Sequence, residues 1–428
     1  MWYARFRLGH LLPGCTYPGS AGEGAESGAE RMKILRVVSD LYPSVVGGVG
    51  LHAHEMSRIQ AEGGHDVTVL TYRTDSGQPS SEDRDGYHIA RSDASLRLFG
   101  NTISFSQFFS LLQRWDSYDV VHAHSHLFFS TVLCTLARKF RSTPLVVTNH
   151  GLVSQTAPDW LQRLYLPTIG RWVFRSADAI ICYTGTERGQ VVDLGVSPDR
   201  VHVLHNGIDT NVFVPSDLPS SKKQILWIGR FTPGKGVEYL LKGFQDFSRE
   251  FPDYTLVMVG RGPLRDDFVR MIREMDLEDR VVLRDFIPNK ELPGLYQESS
   301  LFVLPSLEEG VPRTILEAMA CGRPVVCTAL PQLVDIVSGC GSLVPTGDAG
   351  AVADALSALA SDPVLARSLG RSARVKVVSQ YSWDDTVAKT LDLYASLAHP
   401  VPSGHRAPQV SKATEKSPKL VDSDRIDG

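Results

Sequence analysis

The chain holds 428 residues, 43% of them hydrophobic and 21% charged, with a formal net charge of −4. That length exceeds one ordinary core and allows two or three domains of a soluble globular protein, and the near balance of charge offers no footing for nucleic acid. No run of eighteen apolar residues occurs, so no helix is long and apolar enough to span a membrane.

Residues 1–31 read as a disordered extension. Arg5 and Arg7 ahead of an apolar stretch broken by Pro13 mimic a signal peptide only faintly, and a Gly/Ala/Glu/Ser run without periodicity follows. From Met32 onward strands are expected near 34–39, 66–71, 87–91, 120–124, 145–149, 179–183 and 201–204, with helices between most of them, the pattern of a parallel sheet covered on both faces. The linker VPSDLPSSK at 214–222 separates these from a second set near 225–229, 255–259, 281–283, 301–304, 325–327 and 343–344. The expected architecture is therefore α/β, with two Rossmann-like domains at 32–214 and 222–382. An amphipathic helix at 383–398 and a disordered polar tail at 399–428 complete the chain. Cys15, Cys134, Cys182, Cys321, Cys327 and Cys340 make no CxxC pair and no cluster with histidines, which predicts reduced, mostly buried thiols in a cytoplasmic protein.

In open parallel sheets ligands bind beyond the carboxyl ends of the strands. After the first strand, YPSVVGGVGLHAHE places Gly47, Gly48 and Gly50 where backbone can approach an anion as a helix begins; the signal is weak, being neither GxGxxG nor a Walker sequence. Asp83-Arg84-Asp85 has the letters of a metal-binding DxD, but it lies in a polar stretch ahead of Gly86 and reads as a loop. His122, His124 and His126 alternate along a strand, which suggests a zinc face, yet no acidic or cysteine ligand is near. Asn149-His150-Gly151 closes the strand LVVTN, with Gly151 freeing the backbone around His150.

In WIGRFTPGKGVEYLLKGF the strand ends in Gly229 and Arg230, and Lys235 falls at a helix start. Cations are disfavoured there, so an anion that offsets the dipole is expected. The stretch LFVLPSLEEGVPRTILEAMACGRPVVCT at 301–328 reads as strand, turn, helix, strand, with Pro312 opening the helix, Gly322 capping it and Pro324 stopping it. Glu309 precedes that helix and Glu317 lies about a turn and a half inside. The spacing alone means no more than an exposed helix face; in this loop it brings helix-end N–H groups and two acceptors for sugar hydroxyls to one place.

Taken together, these motifs resemble those of the retaining GT-B glycosyltransferases of family 4, glycosyl transferases group 1, over about 32–398. The resemblance implies two parallel-sheet domains facing across a cleft, with the 383–398 helix packing back on the first and HNGIDTNVF at 205–213 as the crossover. It assigns Glu309, with Gly310, to the donor sugar, Glu317 to the nucleotide ribose, and Arg230 and Lys235, beside Gly229, to the leaving diphosphate. It also places the Gly48 loop over that diphosphate and His150 beside the sugar. Val311 and Pro312 stand where the family commonly has an aromatic residue and a glycine, and Pro312 has no N–H to offer the donor. The activity implied is a metal-independent, retaining transfer from a nucleotide-diphosphate sugar to a lipid or saccharide acceptor, with no cofactor. A sugar epimerase or phosphorylase on the same fold, or an inactive scaffold, is the alternative, although none of the charged set is missing.

A weaker similarity of VVSDLYPSVVGGVGLHAHEMS and DVVHAHSHLFFS to the transferases that add N-acetylglucosamine to phosphatidylinositol suggests UDP-N-acetylglucosamine and a phosphatidylinositol-type lipid. Two segments bear on that acceptor. Phe105, Phe108, Phe109, Leu111, Leu112 and Trp115 lie near Arg97 and Arg114, and Trp160, Leu161, Leu164, Tyr165, Trp172, Val173 and Phe174 lie among Arg163, Arg171 and Arg175. Such helices either bury a stripe against the sheet or dock peripherally on the cytoplasmic face of a membrane.

Overall fold

A computed structural model describes residues 30–43, 48–73, 75, 77–98, 101–152, 157–216 and 222–399. Most of the expected extension and tail, and Gly47, lie outside the described residues. In chain order the first set of strands is β1 (Lys33–Val37), β2 (Asp66–Tyr72), β3 (Ser81–Arg84), β4 (Tyr87–Ser92), β5 (Leu96–Leu98), β6 (Asn101–Ile103), β7 (Val120–His124), β8 (Leu145–Thr148), β9 (Ala179–Cys182) and β10 (Val201–Val203). Eight of them form one sheet in the order β10-β9-β8-β7-β1-β2-β4-β3, parallel except at the β3 edge. Strands β5 and β6 pair apart from it.

The second set is β11 (Gln224–Ile228), β12 (Thr255–Val259), β13 (Val281–Arg284), β14 (Leu301–Leu304), β15 (Val325–Thr328) and β16 (Gly341–Val344). They make a wholly parallel sheet, β13-β12-β11-β14-β15-β16. Runs such as Leu301–Leu304 are buried along their whole length because helices cover both faces, which is why they read as unbroken apolar stretches rather than alternating ones.

One expectation is corrected here. Asp83 and Arg84 belong to β3 rather than to a loop, and Asp85 (φ 47°) and Gly86 (φ 84°) form the turn into β4. An Asp-Gly pair that takes positive φ at both positions is the hairpin turn whose twist matches its flanking strands. Strand order reverses between β1 and β7 and again between β11 and β14. The loops after these four strands therefore open into the crevices where an α/β sheet receives ligands.

Two chain crossings join the sheets, and they lie side by side. The Ile208 N–H donates to the Tyr381 carbonyl at 2.7 Å, the His205 and Tyr381 rings approach to 4.5 Å, and the Thr386 hydroxyl donates to the His205 carbonyl at 3.0 Å. The helix Trp383–Ala398, N-capped by Ser382, then packs Leu393 and Tyr394 into the first core beside Ile34 and Val69. Gly207 sits so close to the Trp383 ring that any side chain would overlap it. Gly207→Ala is thus expected to lower the unfolding free energy measured in urea by about 1–3 kcal/mol, the usual scale of overpacking; an unchanged unfolding curve would show that the crossing yields without strain.

Candidate active site

The donor side of the crevice is built by two loops pressed together. Lys235 is held between Gly234 (φ 83°) and Gly236 (φ 63°), a left-handed path that L side chains avoid, and a Cβ on Gly236 would collide with the Pro305 carbonyl oxygen. The Leu307 N–H donates to the Gly234 carbonyl at 2.8 Å, which fastens the loops after β11 and β14 to each other. Lys235 Nζ donates to Glu309 Oε1 at 2.7 Å, with only 12% and 7% of the two side chains exposed, and Ser306 Oγ donates to the same oxygen at 2.8 Å. Gln332 Nε2 donates to the Glu309 carbonyl and Thr328 Oγ1 to the Ser306 carbonyl. Arg230 stands exposed at the end of β11, where Gly229 donates to the Val259 carbonyl at 3.0 Å and leaves room for the Trp227 ring.

Pro312 is the N-cap, in extended conformation, of the helix Arg313–Ala320, and Gly322 (φ 66°) follows its C-terminus. Glu317 faces inward from that helix. Tyr296 Oη donates to its Oε2 at 2.9 Å, and Arg313 Nε approaches its Oε1 at 3.7 Å. Burial raises the Glu317 carboxyl above the usual range, with the Arg313 charge opposing. Arg313 also donates to the Gly207 carbonyl at 3.2 Å and lies 6.0 Å from the Trp383 ring centre, tying this helix to the crossing. The two glutamates thus have separate partners, Glu309 at the loop and Glu317 in the packing beneath it.

Across the crevice, a Cβ added to Gly310 would lie 3.7 Å from the His150 carbonyl oxygen, which sets the two lobes close together at this point. His150 Nε2 lies 3.0 Å from His124 Nδ1, and His150 Nδ1 lies 3.1 Å from the Tyr183 hydroxyl. His124 Nε2 accepts from Arg36 Nε at 3.3 Å. His122 bonds Tyr394 through Nδ1 and Thr148 through Nε2 (2.6 Å), while His126 packs on the Phe174 ring at 4.6 Å. His122, His124 and His126 are thus spent on hydrogen bonds and packing, and among the described residues no group of three His, Cys, Asp or Glu converges as a metal site. Gly48 begins the helix Gly48–Glu62 with open space above it, whereas Gly50 serves close packing on Asp40.

Burial, reinforced by mutual repulsion and by Arg36, holds His52, His122 and His124 well below the usual imidazole value. Burial alone takes His150 down to about 3, and His126 is also lowered to about 3. The sequence reading named His150 but not Arg36, His52, Tyr183, Arg313 or Tyr296. Arg36 alone left a trace, as a single charge inside the otherwise apolar KILRVV. Because the folded imidazoles refuse protons that an unfolded chain accepts below about pH 6.5, their contribution to stability is complete above that pH and is lost as pH falls toward 3. Thermal unfolding followed from neutral pH downward is expected to lose up to about 1.4 kcal/mol per pH unit per buried histidine. A flat profile would mean that the imidazoles take up protons in the folded chain as they do in the unfolded one.

Comparison with known proteins gives this arrangement a context. Residues 222–362 match the model of glycosyl transferases group 1 and residues 46–212 that of Glycosyltransferase Family 4. The chain is 26% identical to alpha-maltose-1-phosphate synthase of Mycolicibacterium smegmatis over 404 residues, covering 86% of this chain and all of that one. It is 28% identical to the GDP-mannose:cellobiosyl-diphosphopolyprenol alpha-mannosyltransferase of Xanthomonas oryzae over 370 residues, 85% of this chain and 96% of that one. Its fold superposes on sucrose-phosphate synthase of Thermosynechococcus elongatus with a TM-score of 0.73 at 23% identity, over 86% and 99% of the two chains.

Proposed function

Since the chain belongs to glycosyltransferase family 4 and is an enzyme of GT-B fold that transfers sugar from a nucleotide-sugar donor, we propose that it works by retention, without a metal, on a lipid acceptor at a membrane surface. The observation that carries the first part is the buried Lys235–Glu309 pair at the crevice, with Arg230 exposed at the end of β11, on the loop that leads to Lys235. A donor entering the site exchanges this pair for two of its own: the diphosphate takes Lys235 and Arg230, and a sugar hydroxyl takes Glu309. Glu317, beneath, is assigned to the ribose. The bond from the anomeric carbon to the leaving phosphate oxygen breaks as the acceptor oxygen bonds to that carbon on the same face. The acceptor proton passes to the departing phosphate. His150 is no base in this scheme, since both its nitrogens are engaged and burial keeps it neutral.

Fixed cations supply the charge stabilisation that a divalent ion provides elsewhere. Arg230→Ala and Lys235→Ala are each expected to lower kcat on the order of a hundredfold with the fold intact, and EDTA is expected to leave the wild-type rate unchanged. Activity abolished by chelation and restored by manganese, or an unchanged kcat in both variants, would overturn the reading.

The lipid part rests on where the aromatic segments end up. Leu111, Trp115, Val173 and Phe174 enter the core, but Phe105, Phe109 and Trp160 remain 64%, 65% and 66% exposed. Phe105 and Phe109 share one face of the helix Phe105–Arg114, and Trp160 and Leu164 one face of Asp159–Tyr165. Both helices flank the loop after β7: Asn101 bonds the Leu127 carbonyl at 2.7 Å beside the first, and the Tyr165 hydroxyl donates to the His126 carbonyl at 2.6 Å from the second. The exposed aromatics therefore sit on segments that neighbour the loop after β7, with Arg114 and Arg163 exposed on the same helices and Arg171 and Arg175 exposed farther along the chain, a composition suited to anionic lipid. No single helix among the described residues is long and apolar enough to cross a membrane. The protein is expected to float with anionic vesicles at low salt and to lose that binding in a Phe109→Ser, Trp160→Ser double variant. Absence of flotation together with full activity on a soluble acceptor would dispose of it.

A further inference from the structure

Arg36 is fully buried, 0% exposed, in the middle of β1, and none of its hydrogen bonds goes to a carboxylate. Nε donates to His124 Nε2 at 3.3 Å, Nη1 to Ser57 Oγ at 3.1 Å, both Nη atoms to Gln60 Oε1, and Nη2 to Tyr394 Oη at 3.3 Å. A guanidinium has only donors and does not lose its proton. Every partner must therefore accept, and that requirement propagates. His124, accepting at Nε2, carries its proton on Nδ1 and gives it to His150 Nε2 at 3.0 Å. His150, accepting there, is protonated at Nδ1 and donates to the Tyr183 oxygen at 3.1 Å, the shorter of its two approaches to that hydroxyl. A second branch ends oppositely. Tyr394 accepts from Arg36 and gives its own proton to His122 Nδ1, so His122 is protonated at Nε2 and donates to Thr148 Oγ1 at 2.6 Å.

Resting on the transferase reading above, we propose that Arg36 is a positioning residue of the transfer site, whose directed N–H groups set the tautomers of His124 and His150 and so fix the ring of His150, the residue whose backbone carbonyl lies nearest Gly310 at the crevice. One consequence is a rigid, neutral His150 with neither nitrogen free to take the acceptor proton. Another concerns Tyr183, whose oxygen is already accepting, so its own proton must point away from His150. A cavity of about 10 Å³, lined in part by Tyr183, His52, His205 and Thr386, lies beside it with room for one water.

Imidazole nitrogen shifts of the histidine-labelled wild-type chain, assigned with His122→Gln and His150→Gln, test this without disturbing Arg36. The expected spectrum shows His124 and His150 protonated at Nδ1 and His122 at Nε2, all neutral. His124 or His150 protonated at Nε2, or at both nitrogens, would overturn the proposal. Arg36→Met, if folded, is expected to release His150 to the other tautomer and to lower kcat about 10- to 100-fold with donor KM little changed. Arg36→Lys keeps the charge without the planar Nε–H and is expected to resemble Arg36→Met; wild-type tautomers and rate in either variant would refute the positioning role. The expected wild-type spectrum from protein that transfers no sugar from any nucleotide donor would support the tautomer assignment and count against the transferase reading instead.

Discussion

The site depends on one close approach, the backbone of Gly236 against the Pro305 carbonyl. Two loops that leave adjacent parallel strands would ordinarily diverge with the twist of the sheet. Here the absence of a side chain lets them touch, and the Leu307 to Gly234 hydrogen bond fastens them. Only because they are fastened does Lys235, on one loop, find Glu309, on the other, at 2.7 Å in a place largely closed to water. A buried pair of this kind adds little net stability, since desolvation offsets most of the attraction. Its value lies in holding two opposite charges ready in fixed positions, which is what electrostatic stabilisation of a transition state requires.

The opposite wall solves the complementary problem of holding several polar rings in a defined state without carboxylates. Burial makes each imidazole neutral, and a neutral imidazole has two possible proton positions. A charged donor in their midst removes the choice. The cost of burying Arg36 is spread over acceptors drawn from the helix Gly48–Glu62, from β7 and from the terminal helix, so that its hydrogen-bonding capacity is used within the first domain.

Several parallel strands were legible in the sequence as apolar runs closed by Gly, Pro or Asn, among them Leu145–Thr148, Thr255–Val259 and Leu301–Leu304. Once a strand end is placed, Arg230, Lys235, Glu309 and His150 fall at it or in the loop that follows, the region where an α/β sheet receives ligands. The β3 edge is not legible as an apolar run because its residues, Ser81 to Arg84, are polar; only the Asp85-Gly86 turn marks it as one arm of a hairpin. Arg36 could be noticed but not interpreted, since its partners lie 21 to 358 positions away and no local pattern announces them. For Glu317, the role at the ribose comes from the family resemblance rather than from its spacing to Glu309, and its contact with Tyr296 is a tertiary fact that periodicity does not contain.

Tyr394 completes the hydrogen-bonding shell of a residue 358 positions earlier, and Leu393 closes the core around β1 and β2. The half of the chain that leaves the ribosome first is therefore the half completed last. While the second domain is being made, the nascent first domain carries a buried guanidinium short of one acceptor and an apolar groove without its cover. Synthesis of the final helix is the step that commits both domains together, and a chain stopped shortly before Trp383 would leave the earlier-made domain, rather than the later one, unfinished.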